Sequence, residues 1–174
     1  MAEDHVDGLL RKLEPLGHVG IDLEIEGIVD RISGINRRLK RGTETTLAEY
    51  DLSLPDWHVL SSLRLASPGR RHSPGSLAAD HELSSGAMTS RLDRLEEAGL
   101  VRRLPDPDDR RGVLVELTDA GRAAWDTAAG VLARREAFFA SALTKAEQKQ
   151  LNGLLRKLMI AFEQNEPAKG SKPP

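Results

Sequence analysis

Apolar residues recur with a helical period over most of this chain, and polar, Gly- or Pro-containing breaks divide the pattern into segments. The first 20 residues hold one short apolar patch, LLRKLEPL, that stops at Pro15 and Gly17, and they predict an arm or short helix. From Ile21 the pattern sharpens. Ile21, Ile25, Ile28, Ile32, Ile35 and Leu39 alternate in steps of four and three, a heptad-like seam on one helix face. Gly42 and the Thr-rich segment beside it predict the end of that helix. PDWHVLSSLRL opens the next one, with Pro55 suited to a first helical turn.

The stretch 67–75 (SPGRRHSPG) predicts a loop or a minimal strand, and two short helical patterns follow, SLAADHEL and SSGAMTSRLDRLEEAG. The second carries Met88, Leu92 and Leu95 on one face, set to pack on Ala78 and Ala79, and stops at Gly99, a residue that accepts the left-handed cap conformation. VRRLPDPDDRRGVLVELT then reads as a β-hairpin, because Val113, Val115 and Leu117 alternate with Leu114 and Glu116 around a Pro/Asp/Arg-rich tip. An Ala-rich helix runs from Thr118 towards Leu143. Thr144 with Glu147 forms a capping box for a last helix, whose stripe is Leu151, Leu154, Leu155, Leu158, Met159 and Phe162. The tail EPAKGSKPP is polar and Pro-rich, the composition of a frayed end.

This order predicts a mainly α fold with a small β-hairpin wing (α+β), a winged helix-turn-helix flanked by N- and C-terminal helices. The expected parts are an arm at 1–20, dimerisation helices at 21–50 and 119–165, a winged helix-turn-helix lobe at 51–118, and a disordered tail at 166–174. The terminal helices carry more apolar surface than a lobe of ~70 residues can cover, so a second chain is the natural place to bury it.

Composition narrows the chemistry. Hydrophobic residues make up 39% of the 174, yet aromatics only 3%, so the core must be aliphatic. No run approaches the ~20 apolar residues of a membrane span, and the acidic N-terminus MAEDHVDGLL lacks the basic start of a secretory signal. A cytoplasmic protein with no membrane partner is expected. The absence of Cys excludes disulfides, thiol nucleophiles and cysteine-ligated zinc. The five histidines form no catalytic or metal-binding motif; HExxH from His81 fails because residue 85 is Ser. Neither enzymatic activity, a cofactor nor a metal is expected. The net charge of −2 does not advertise nucleic-acid binding, so any DNA affinity must come from locally placed Arg and Lys.

Two segments supply that placement. Opposite its apolar face, SSGAMTSRLDRLEEAG offers Ser85, Gly86, Thr89, Ser90 and Arg94: short hydrogen-bonding groups, a glycine for close approach and one long cation, suited to the major groove. By itself the pattern is equally that of an amphipathic surface helix with a Ser cap. The hairpin behind it tips the balance, because Arg110 and Arg111 stand at the end of a ribbon that can reach a minor groove or phosphates. Asp108 and Asp109 would repel phosphate if they pointed outward. At least one of them is expected to turn inward and hold an arginine.

At these residues the sequence resembles the MarR family of transcription regulators. SSGAMTSRLDRLEEAGLVRRLPDPDDRRGVLVELTDAGR looks like that family's recognition helix, wing and following helix start. Asp109, Arg110, Arg111, Gly112, Leu117 and Thr118 match its wing pattern, and SGAMT-RLDRLE resembles a branch of urate- and carboxylate-responsive regulators. The resemblance implies a homodimer with interlocked terminal helices, two lobes on a pseudo-palindromic double-stranded DNA operator, and a role as a repressor. It also implies a pocket for a small anionic effector near the first two long helices, which here offer Arg31, Asn36, Asp56, Trp57 and His58. Relief of DNA binding by an anion, or by protonation near His58, is expected. The arm has no Trp, and His58 stands where relatives often have an acid, so the resemblance does not extend to urate. The plain reading of the same residues is Trp57 in the core, His58 a satisfied or exposed helix residue, and Arg31 solvated. The alternative function is a winged-helix module for protein contacts without DNA specificity.

Overall fold

A short polar side chain starts each α-helix of the structure, a computed structural model that describes residues 3–67 and 71–165, without the side chains of residues 18 and 19. The predicted tail at 166–174 and the middle of the predicted 67–75 loop lie outside the described residues. Asp4 caps α1 (His5–Leu13), which a 3₁₀ segment follows (Glu14–Val19); Asp22 caps α2 (Leu23–Ala48) and Ser53 caps α3 (Leu54–Arg64). Ser73 caps α4 (Pro74–Asp80) and Ser84 caps α5 (Ser85–Glu97). Strands β1 (Val101–Pro105) and β2 (Val113–Leu117) follow. The Thr118 hydroxyl accepts the Gly121 N–H at the start of α6 (Asp119–Ala142), and Thr144 with Glu147 closes the capping box of α7 (Lys145–Asn165). These caps satisfy N–H groups that have no partner within the helix.

The first long helix does not stop near Gly42 as its sequence suggests; α2 continues to Ala48. The Thr45 and Thr46 hydroxyls donate to the carbonyls of Arg41 and Gly42, four residues back, which accommodates them in the helix. Leu47 is fully buried in the core. Burying a Leu stabilises by roughly 1.5–3 kcal/mol, against about 1 kcal/mol for a glycine in a helix, so tertiary packing overrides the local break.

By compactness the chain divides inside α6, after Ala129. In the first unit, Leu47, Leu52, Val59, Leu60, Leu77 and Ala78 form one cluster with Met88, Leu92, Leu95, Val101, Val115, Leu117 and Ala128. The predicted face of α5 is therefore buried. Its neighbours on α4 are Leu77 and Ala78, and Ala79 is exposed because the helix turns it outward. Strands β1 and β2 pair antiparallel, Val101 opposite Leu117 and Pro105 opposite Val113. His72 adds a single bridge, its carbonyl accepting the Val115 N–H at 2.8 Å, so the 67–75 segment contains the minimal strand that the sequence allowed. Gly99, at φ 71°, reverses the chain between α5 and β1. Gly121 lets α6 lie directly on the backbone of Leu100.

Helix α2 presents Ile25, Ile28, Ile32, Ile35 and Leu39 to solvent. In the second unit, made of the rest of α6 with α7, the stripe Leu151, Leu154, Leu155, Leu158, Met159 and Phe162 is likewise exposed, and no described residue of α7 is buried.

Candidate nucleic-acid interface

The N-terminal half of α5 is polar, uncharged and open. Ser85, Gly86, Thr89 and Ser90 are all exposed, while Met88, Leu92 and Leu95 on the other side anchor the helix in the core. A Cβ added at Gly86 would meet nothing within 4 Å, so the fold itself does not require glycine there. What the glycine provides is an uncovered stretch of backbone.

The C-terminal half of α5 is tied down by charge. Arg94, read from sequence as a long cation on the groove face, has its guanidinium on the Asp56 carboxylate of α3. Asp56 is 2% exposed, and its Oδ2 also accepts the Ser53 N–H at 3.0 Å and the Ser53 hydroxyl at 2.5 Å. Arg91 approaches the same carboxylate at 3.9 Å. On the opposite flank, Arg103 of β1 pairs with Asp93 at 2.6 Å and Glu96 at 2.5 Å, and its own N–H donates to Glu96. That N–H and the guanidinium hold the Glu96 carboxyl below its ordinary range. Burial works against the charge of Arg103, but Asp93 and Glu96 outweigh it and raise the guanidinium's value.

The wing tip is built by its own acids. Asp106 accepts the Asp108 N–H, Asp109 accepts the Arg111 N–H at 2.9 Å, and Gly112 closes the turn with its N–H on the Asp109 carbonyl. Asp108 does hold an arginine, Arg71 of the segment before α4 at 2.5 Å, but its side chain is 82% exposed and does not turn inward as expected, because its partner lies at the surface. Asp109 fixes the backbone of Arg111 and leaves its guanidinium alone. Among the described residues, Arg110 and Arg111 are exposed and their side chains have no ion pair.

The five residues read as a ligand set are dispersed. Arg31 is held by Asp4 at 3.0 Å and Asp7 at 2.5 Å, which ties α1 to α2. Asn36 is exposed on α2, Asp56 is the buried acid already described, and His58 is exposed on α3. Trp57 stacks on Trp125 of α6, with ring centroids 5.3 Å apart and planes 1° apart; the Trp125 N–H donates to Ser61 at 2.8 Å. Among the described residues, no hydrogen bond or ion pair joins Arg31 or Asn36 to the α3 group. A groove of about 360 Å³ is lined by residues of α3, the segment before α4, the hairpin and α6, among them Leu63, Arg64, His72, Leu104, Leu114 and Arg122, and by none of the five. Beside α3, His81 lies 3.1 Å from the Ser62 hydroxyl; burial first, then His58 and Arg91, push its titration below the ordinary imidazole value.

The residues that sequence reading missed are Asp93, Glu96 and Arg103 of the clamp, Arg91 beside Asp56, and Arg71 behind the wing. A signal was present in the alternation of acids in LDRLEE with the paired arginines of VRR. It did not say which charges meet.

A helix-turn-helix whose second helix is exposed at its N-terminal half, followed directly by a two-stranded wing, defines a winged helix-turn-helix protein. The MarR family model matches residues 52–113. Over 136 residues the chain is 30% identical to the HTH-type transcriptional regulator PecS of Dickeya dadantii, covering 77% of this chain and 82% of PecS. The wild-type apo structure of MarR from Escherichia coli superposes with a TM-score of 0.63 at 32% identity, covering 74% of this chain and 94% of that one. A mutant E. coli MarR complexed with operator DNA superposes with a TM-score of 0.61 at 32% identity, covering 78% and 95%. This chain belongs to the MarR family: it is a winged-helix, DNA-binding transcription regulator. The relatives named are transcription regulators and not enzymes. Among the described residues, no helix is long and apolar enough to cross a membrane.

Proposed function

We propose that the chain acts in the cytoplasm as a homodimeric repressor on a pseudo-palindromic double-stranded operator. Ser85, Gly86, Thr89 and Ser90 of α5 face the bases of a major groove. Arg110 and Arg111, positioned by Asp109, reach phosphate or the adjacent minor groove. The observation that carries this reading is the division of α5 into an anchored C-terminal half and an exposed, uncharged N-terminal half beside two wing arginines that have no ion pair among the described residues. The exposed stripes on α2 and α7 support a second copy as their cover. A dimer seated on promoter DNA represses by excluding other proteins from it.

The test is selection of duplexes from fragmented genomic DNA, followed by titration of the enriched sequence. Arg111→Ala should weaken binding to all duplexes by a similar factor and reduce the salt slope by about 1, whereas Ser90→Ala should change which sequence is preferred. An unchanged salt slope in Arg111→Ala would remove the wing from the interface. Partner-protein capture that survives without any duplex preference would favour the protein-contact module.

Control by a small anion is part of the same proposal. Trp57 and His58 lie on α3, while Arg31 and Asp56 take part only by exchanging the ion pairs they now hold. An effector shifts binding by its differential affinity for two states, commonly about 1–3 kcal/mol, or roughly 5- to 150-fold. Operator titrations against pH and against carboxylates and purines, in wild type and His58→Ala, should give a response that the substitution alters. A flat response to every ligand would remove the effector site, and a pH response retained in His58→Ala would remove His58 as its sensor.

A further inference from the structure

Asp56 is an unusual place for a carboxylate: its side chain is 3% exposed, at the third position of α3, and among the described residues the only other buried polar side chains are those of Thr46 and His72. Its oxygens are used fully. Oδ2 takes both groups of Ser53, and Oδ1 takes the Arg94 guanidinium from the last turn of α5, with Arg91 at 3.9 Å. Arg91 is itself mostly buried, and among the described residues its Nε and one terminal nitrogen have no hydrogen-bond partner. The Asp56 carboxylate is therefore the charge that lets two arginines of α5 sit against α3. We propose that Asp56 is a positioning residue for DNA recognition, which sets the docking angle of α5 by holding Arg94 and Arg91, and that Arg94 acts through this lock and not by reading a base.

The proposal rests on the reading that α5 enters a major groove. Geometry gives the lock its leverage. Gly86 stands eight residues before Arg94, about 12 Å along the helix axis. A tilt of about 10° at the Arg94 end carries the reading residues about 2 Å sideways, well beyond the ~0.5 Å within which such contacts must be held. The second restraint, Arg103 on Asp93 and Glu96, lies on the β1 side. Two charged anchors on different flanks fix a rod in direction, and one does not.

The experiment measures duplex preference position by position, by selection and sequencing, for the full-length chain and for Asp56→Asn, Asp56→Glu, Arg94→Gln and the double variant Asp56→Asn/Arg94→Gln. Asp56→Asn removes a negative charge and by simple electrostatics should bind DNA more tightly. The lock instead makes specific binding about 10- to 100-fold weaker, with discrimination reduced at every position of the half-site and random-duplex binding not weakened. Arg94→Gln should give the same uniform loss, and the double variant should be no worse than the poorer single one, because both remove one interaction. Asp56→Glu should restore part of the preference. Arg94 is exposed enough that Arg94→Gln keeps the test valid if Asp56→Asn does not fold. Loss confined to one base-pair position in Arg94→Gln, or additive losses in the double variant, would overturn the proposal. Should Ser90→Ala and the wild type alike show no duplex preference, it is the groove reading that fails, and the lock with it. A preference that Ser90→Ala alters and the Asp56 and Arg94 variants leave intact would sink the lock alone.

Discussion

Gly121 and Gly86 both lie in helices, but a methyl group at each would meet different surroundings. At Gly121 it would lie 1.9 Å from the Leu100 carbonyl oxygen, which is backbone and cannot swing away. Gly121→Ala should therefore destabilise the first unit by on the order of 3 kcal/mol, read as a lower urea midpoint. At Gly86 the methyl meets open space, and alanine favours helix by up to about 1 kcal/mol. Gly86→Ala should keep or raise stability and still lower operator affinity, because on the proposed reading the added methyl occupies the surface that faces DNA. Equal affinity in Gly86→Ala would show that the α5 backbone does not approach the duplex closely. The contrast cannot be read from sequence, which offers Gly86 for close approach but does not show what a methyl group at either glycine would meet.

At the scale of elements, the protonation of His81 reports the packing of α3 against α4. Burial, His58 and Arg91 favour its neutral form in the folded chain. As pH falls through the ordinary value of 6.5, the unfolded chain takes up the proton first, so stability is full above that value and falls below it until the folded chain also protonates. Urea midpoints measured from pH 8 to 5 should decline below about 6.5, and His81→Gln should flatten that decline; a decline unchanged by His81→Gln would place its source elsewhere. Glu96 and Asp119, each held low by a hydrogen-bonding arginine, act further down: their contribution is present above the ordinary carboxylate range and is lost as pH falls through their folded values. The elements most legible in the sequence are those with local signals, as Ser84, Gly99 and the alternation of Val113, Val115 and Leu117 delimit α5 and the wing within 34 residues of chain. The end of α2 was not legible, because the burial of Leu47 depends on residues far along the chain. The Asp56–Arg94 pair, 38 residues apart, is not legible for the same reason, and the sequence reading places its two members in different sites.

For the whole molecule, the central claim is that two copies present two α5 helices to one duplex. Ile32 is 41% exposed on α2, so Ile32→Glu should leave the lobe folded, whereas in a dimer it would bury an unpaired charge. Light scattering should show the dimer weakened roughly 30-fold or more, the factor that a 2 kcal/mol hot spot carries, with operator affinity falling alongside. An unaltered dimer would move the interface off the α2 seam. The more direct measurement is the dependence of affinity on half-site spacing. The enriched operator is titrated as selected, and again with about 5 base pairs inserted between its half-sites, which turns them onto opposite faces of the duplex. Two linked helices should bind the first with two chains per duplex and lose about 100-fold or more on the second; equal affinity for both would show that each lobe binds alone and would contradict the account.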